Sequence, residues 1–394
     1  MDYLMKYLEL FLTSLRLGLT SFGGPIAHLS YFHVEYVQRK KWLSESAYAD
    51  LVALCQFLPG PASSQVGMAV GLSRGGILGA LIAWLGFTLP SAIILILFAL
   101  GVTQLNISEH QHWLHALKVI AVSVVAQAVF GMWKKLCKGK VQAIIAIIAC
   151  LIILFTNSAF AQILVLIFAG IFGAFFLKAP DSLPHEPIHR NSHRTGLIFL
   201  FLFFTLLFLL PFLASITQIP SIKFFDSFYR AGSLVFGGGH VVLPLLQAEV
   251  VPNGWVSKDL FMAGYGVANA IPGPLFAFSA YLGAISTQTP NGWTGAFICL
   301  IAAFLPSFLL IVGALPFWEK LRSIPKIRQA MLGLNAAVVG ILLAALYNPV
   351  WISAIFSWKD FALALIGFLL LERWKAPSWI VVLGAVAVSF CLLL

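Results

Sequence analysis

Two short motifs stand inside long apolar runs, Leu58-Pro59-Gly60-Pro61 and Ile271-Pro272-Gly273-Pro274. Proline removes a backbone donor and glycine loosens a helix, so each motif breaks the helix that contains it. The segment after a break presents free N–H groups and a positive dipole end, a setting that attracts anions. After the first break come Ala62-Ser63-Ser64-Gln65, in which the Ser63 and Ser64 hydroxyls add donors to those of the backbone. After the second come Leu275-Phe276-Ala277-Phe278, which add none, with Ser279 further on. An anion is therefore expected nearer the 59–65 break. The competing reading is that the two serines cap or back-bond within their own helix. Gln56 and Asn269 each lie three residues before a break and supply amides suited to orienting an anion's oxygens.

A second pair of breaks reads Phe22-Gly23-Gly24-Pro25 and Phe236-Gly237-Gly238-Gly239-His240. Arg16 and Arg230 lie one to two turns upstream, within apolar stretches. A charge placed there is expensive and marks a functional candidate, and a guanidinium matches an oxyanion through bidentate donors. The alternative is that each arginine pairs with a carboxylate or reaches out to an interface. Glu35 and Glu249 are candidate partners, or proton carriers. His240 titrates near neutral pH in its free form and is a third coupling candidate. Its counterpart by position is Ile26. His28 is similar in type but out of register, and a lone helical histidine is more often a packing donor.

Nothing in the chain resembles a nucleophile elbow, a zinc protease motif or a nucleotide phosphate loop. No enzyme activity and no cofactor are expected, and work must come from an ion gradient or the membrane potential. Cys55, Cys137, Cys150, Cys299 and Cys391 are scattered and odd in number, which fits neither a disulfide framework nor a zinc site. Three histidines between 178 and 194 match no ligand spacing, and the segment reads as a solvated linker without metal.

These residues must be held by helices in lipid. Of 394 residues, 60% are hydrophobic and only 10% charged, too few for the polar shell of a soluble domain of this size. The +10 net charge does not indicate nucleic acid, because Lys and Arg cluster in the short connections between apolar runs. No cleavable leader is evident after the first apolar run. The motifs also recur in order. Arg16-Leu17-Gly18 returns as Arg230-Ala231-Gly232 and Phe22-Gly23-Gly24 as Phe236-Gly237-Gly238, both 214 residues on. Trp42-Leu43-Ser44, Pro59-Gly60-Pro61 and Leu89-Pro90-Ser91 return as Trp255-Val256-Ser257, Pro272-Gly273-Pro274 and Leu305-Pro306-Ser307. This is an internal duplication. The expected fold is an all-α polytopic membrane protein with about 13 spans. Residues 1–177 form a first repeat, 178–226 a linker with one connecting span, and 227–394 a second repeat. An odd number of spans separates equivalent points, so the repeats are expected to be inverted. Loop charges place the N-terminus in the cytoplasm and the C-terminus outside an inner membrane. Arg39-Lys40-Lys41 breaks that pattern by falling outside, unless the helix that follows does not fully cross.

The glycine and Pro-Gly-Pro motifs with Arg16 upstream, together with their second-half echoes, resemble the chromate ion transporter family in its two-domain form. The resemblance covers nearly the whole chain. It implies efflux of chromate, with sulfate as the mimicked anion and exchange for protons as one form of coupling, and a homodimer is compatible with it. Gly239 stands where the first motif has Pro25, so the two glycine sites are not strictly equivalent. An anion importer, or a membrane enzyme or assembly partner on the same scaffold, remains the alternative.

Overall fold

The computed structural model describes residues 2–104, 112–156, 159–178, 192–236 and 241–392, and every regular element among them is helical. Among the described residues five helices are long and apolar enough to cross a membrane: Ala62–Gln104, Trp113–Leu136, His193–Thr217, Gly292–Phe317 and Pro325–Ala354. Shorter apolar helices lie at Lys140–Thr156, Ala161–Phe176, Leu275–Ile285 and Ser378–Ser389. The expected run of about 13 spans thus resolves into a few long helices and several short ones. The reason is that glycine and proline divide the first apolar runs.

Helix α1 (Asp2–Thr20) ends before Gly23, whose φ of 93° is closed to most side chains. Helix α2 (Gly24–Phe32) follows and continues as a π-helical turn, His33–Arg39. The Lys40 ammonium then meets the Glu9 carboxylate of α1 at 2.8 Å. The first apolar run, residues 7–38, is therefore a hairpin whose tip is the Gly-Gly break. Helix α3 (Glu45–Phe57) starts at its Ser44 cap and stops at Pro59-Gly60-Pro61. Helix α4 (Ala62–Gln104) bends sharply at Gly75 and Gly76, where φ and ψ leave helical values. The Tyr7 hydroxyl donates to Gly75 O, and the Arg74 guanidinium lies 4.2 Å over Trp42. The 39–42 loop, the 74–76 bend and the first turns of α1 thus share one level. Two hairpins reach inward from there, and their tips are the two breaks.

The second half repeats this order with α9 (Pro220–Leu234), α10 (Val242–Val250), α11 (Lys258–Ala270), α12 (Phe278–Ile285) and α13 (Gly292–Ala314). Ser257 caps α11 as Ser44 caps α3. The close helix crossings repeat too. A methyl group on Gly18 would collide with Phe87 O of α4, and one on Gly232 with Ala303 O of α13. Small residues at such crossings let backbones touch where lipid supplies no hydrophobic drive for association.

The remaining helices interlock the halves. α6 (Lys140–Thr156) and α7 (Ala159–Phe176) pack on α15 (Pro325–Ala345). α17 (Trp358–Glu372) and α18 (Ser378–Leu392) pack on α5 (His112–Leu136). α8 (His193–Thr217) lies against α9 and α13. Phe155, Phe168, Phe175, Phe201 and Phe208 on α6, α7 and α8 are exposed, as a lipid-facing rim requires.

Candidate functional site

Each Pro-Gly-Pro break meets the opposite half. Gly60 N donates to Val235 O at 2.6 Å, and Gly273 N donates to Ser21 O at 3.0 Å. Val235 and Ser21 sit just ahead of the two Phe-Gly-Gly motifs. Gly60 (φ 124°) and Gly273 (φ 102°) both have backbone angles that disfavour any side chain. A methyl on Gly60 would also strike Ser307 Oγ and come within 2.7 Å of Gln65 Nε2. One on Gly273 would lie 2.8 Å from Ser91 Oγ and 3.3 Å from Gly18 O. Each Pro-Gly-Pro break therefore meets two segments of the other half: the residue just ahead of Phe-Gly-Gly, Val235 or Ser21, and the serine of Pro-Ser, Ser307 or Ser91. Ser91 and Ser307 were visible in the sequence only as parts of a repeated Leu-Pro-Ser. Nothing local assigned them to a site, because the contact that does so lies more than 180 residues away along the chain.

The two assemblies differ in chemistry. At the first, Gln65 N makes the first turn-closing bond of α4, to Pro61 O at 3.0 Å. The N–H groups of Ala62, Ser63 and Ser64 precede it and have no partner within the helix. Ser63 Oγ lies 3.2 Å from His28 Nδ1, and Gln65 Nε2 donates to Pro59 O at 2.7 Å. Ser64 Oγ, Gln65 Oε1 and Ser307 Oγ are buried without a hydrogen-bond partner among the described residues. An unpartnered buried polar atom costs about 1–3 kcal/mol, so several side by side demand an explanation. At the second assembly, Leu275, Phe276 and Ala277 fill the equivalent turn, with Phe276 against Phe304. Ser279 Oγ donates to Phe276 O at 2.7 Å and Ser91 Oγ to Thr88 O at 3.0 Å, whereas Ser21 Oγ and Thr88 Oγ1 are buried without a hydrogen-bond partner among the described residues.

The arginines lie elsewhere. Arg230 Nη1 and Nη2 donate to the two Glu249 oxygens at 2.8 and 3.0 Å, and Nε donates to Asp226 at 3.1 Å. Ser227 Oγ also donates to Glu249 Oε2. All three guanidinium nitrogens thus already donate to carboxylates, and the carboxylate-paired alternative describes Arg230. Arg16 is about half exposed (55%) and sits 3.7 Å from Glu35 Oε2, which Arg39 approaches at 3.3 Å. The repeated Arg and Glu therefore pair in both halves. Glu35 faces two cations, whereas Arg230 faces two carboxylates. Gln56 is exposed on α3. Asn269 Nδ2 donates to Tyr265 O in its own helix, and the Asn269 backbone carbonyl accepts from Ser378 Oγ. Gly24 begins α2, with Pro25 in its first turn. Gly237, Gly238 and His240 lie outside the described residues. His28, set aside on register, reaches the first assembly through Ser63. Its signal in the sequence was only its place one turn past Gly24-Pro25.

Among the described residues no cluster of three or more His, Cys, Asp or Glu side chains is placed to hold a metal. Cys55, Cys137, Cys150 and Cys299 are buried free thiols.

Broken helices from two related halves, meeting around unengaged buried donors inside an apolar helical shell, are the build of a membrane transport protein. The comparisons make that class specific. The chain matches the chromate transporter family model over residues 8–174 and 222–390, and it belongs to that family. It is 28% identical to a probable chromate transport protein of Synechococcus elongatus over 95% of this chain and 92% of that one. It is 27% identical to a chromate transport protein of Cupriavidus metallidurans, over 97% and 92%. It is also 27% identical to an uncharacterised transporter of Methanocaldococcus jannaschii, over 98% and 94%. No solved structure matches the chain. The family's members are transport proteins, not enzymes, and this chain is a multi-pass membrane protein whose family points to chromate transport.

Proposed function

We propose that the chain exports chromate and binds it, or a sulfate-like tetrahedral dianion, at the first Pro-Gly-Pro assembly. One observation carries the reading. Ser64 and Ser307 hold buried hydroxyls without partners among the described residues, beside the open first turn of α4. Donors kept open in a dry interior suit a ligand rich in acceptors, and the helix end adds a favourable dipole. The second assembly, filled by Phe276, serves as the structural counterpart that lets the halves rock about a common centre. An inside-negative potential assists a dianion leaving the cytoplasm.

The hairpins suggest how the chain is threaded. If α1–α2 and α3–α4 enter from one face and turn back at their breaks, only the five long helices set the parity of crossing, because α6–α7 is itself a hairpin. Three of those five separate the starts of the two repeats, so the repeats are inverted and the termini lie on opposite faces. Arg39, Lys40 and Lys41 then share a face with Lys6, Arg74 and Lys134, which removes the anomaly in the charge pattern. Lys258 moves to the opposite face with Lys223 and Lys359. That assignment keeps the N-terminus cytoplasmic and the C-terminus outside, with residues 1–177 and 227–394 as the two repeats.

Chromate accumulation in cells with and without the chain tests the reading. Export requires lower accumulation in expressing cells. Higher accumulation reverses the direction, and equal accumulation with verified expression rejects transport of chromate.

A further inference from the structure

We propose that His28 takes up a proton together with the oxyanion, so that protonation of His28 and occupancy of the first assembly favour one another. This rests on the reading of that assembly as the anion site.

His28 is buried on α2, with its ring edge-on to Phe87 at 5.6 Å and Nδ1 3.2 Å from Ser63 Oγ. Ser63 is in the first turn of α4, beside the unpartnered Ser64 hydroxyl. A neutral imidazole that accepts at Nδ1 takes the Ser63 hydrogen for itself. A protonated imidazole carries hydrogens on both nitrogens, so Nδ1 donates and Ser63 Oγ accepts. The Ser63 O–H is then released to turn toward the α4 first turn, where the anion would sit. Protonation therefore adds one donor to the site and one positive charge beside it. In the other direction, a dianion bound beside Ser63 favours the charged form of the imidazole through its opposite charge.

The ionisable groups around α2 are matched in other ways. On the π-helical turn, His33 bonds Glu45 at 2.6 Å, Glu35 faces Arg16 of α1 and Arg39, and Tyr36 stacks on Trp42. On α3, the Tyr48 hydroxyl donates to Leu29 O at 2.6 Å. On α4, the neighbours of the ring are Ser63 and Phe87, neither of which titrates in this range. Among the described residues, His28 is thus the titratable group in direct contact with the assembly.

Binding measured on the full-length protein in lipid nanodiscs tests the proposal, with sulfate as the probe. Sulfate stays a dianion between pH 6 and 8, whereas chromate itself takes up a proton there. Wild-type affinity should weaken by about fivefold or more from pH 6 to pH 8, the scale of an ordinary linkage. Calorimetry in buffers of different ionisation heat should register proton uptake with binding. His28→Asn keeps a donor toward Ser63 but cannot titrate, and its affinity should be flat with pH. A His28→Asn protein that retains the wild-type slope overturns the proposal while leaving the anion site intact. So does wild-type binding with no proton uptake, which decides the matter even if the variant fails to fold. Absence of both sulfate and chromate binding to the wild type overturns the site reading itself, and this inference with it.

Discussion

Ser307→Ala separates a ligand-binding hydroxyl from a structural one by the sign of two effects. Ser307 is fully buried, its Oγ has no partner among the described residues, and it abuts Gly60 at the first break. Removing a buried, unpartnered hydroxyl relieves a desolvation penalty of about 1–3 kcal/mol, and the space left by one oxygen returns part of that gain. A net stabilisation of about 1 kcal/mol is expected in the empty protein. If the hydroxyl donates to the bound anion, the same change weakens binding by about 1–3 kcal/mol, or roughly 5- to 150-fold. Thermal unfolding of the purified protein and sulfate or chromate titration supply the two readings. A variant that is less stable and binds as well as wild type would refute the reasoning, because the hydroxyl would then be supporting the fold and not facing the ligand.

Gly60→Ala forces a methyl into Ser307 at a φ of 124°, and the strain and overpacking together should cost about 2–6 kcal/mol. Gly131→Ala on α5, where a methyl meets nothing within 4 Å, should insert and transport normally, so equal chromate accumulation in the two variants contradicts the assembly at Gly60. Arg230→Ala strands the largely buried Asp226 and Glu249 carboxylates, a loss of about 3–5 kcal/mol in thermal stability. Arg16→Ala removes one half-exposed contact at 3.7 Å and should change stability by less than about 1 kcal/mol, so similar unfolding temperatures for the two would sink the distinction. In a cysteine-free background, cysteines placed at Lys41 and Lys258 should react with a membrane-impermeant thiol reagent from opposite faces. Labelling of both from one face removes the hairpin threading.

Much of the architecture was legible in the residues themselves. Apolar content too high for water specifies lipid as the solvent, and in lipid only helices satisfy an isolated segment's backbone. The repeated Pro-Gly-Pro and Phe-Gly-Gly motifs marked the breaks, because the backbone effects of proline and glycine act within a turn. The contrast between Ser63-Ser64 and Leu275-Phe276 marked the two breaks as chemically unequal. The pairing of Arg16 with Glu35 and of Arg230 with Glu249 was present as a shared spacing, but its outcome was not. Whether a guanidinium faces a carboxylate or a ligand depends on how the helices α9 and α10 meet.

What the chain order could not carry was the exchange between halves. Gly60 bonds Val235, Gly273 bonds Ser21, and Ser307 closes on the first break, while Gln56, beside the same motif, faces outward. Hydrogen bonds at 2.6–3.0 Å are set by where two backbones cross in space, and no local propensity encodes a partner that far along the chain. The direction of the hairpins is of the same kind. Hydropathy counts apolar residues in a segment, whereas the Lys40–Glu9 pair and the Tyr7–Gly75 bond record that the segment turns back. Composition and spacing thus determined the solvent, the helices and their breaks, and packing between distant helices decided which breaks meet and which donors stay open.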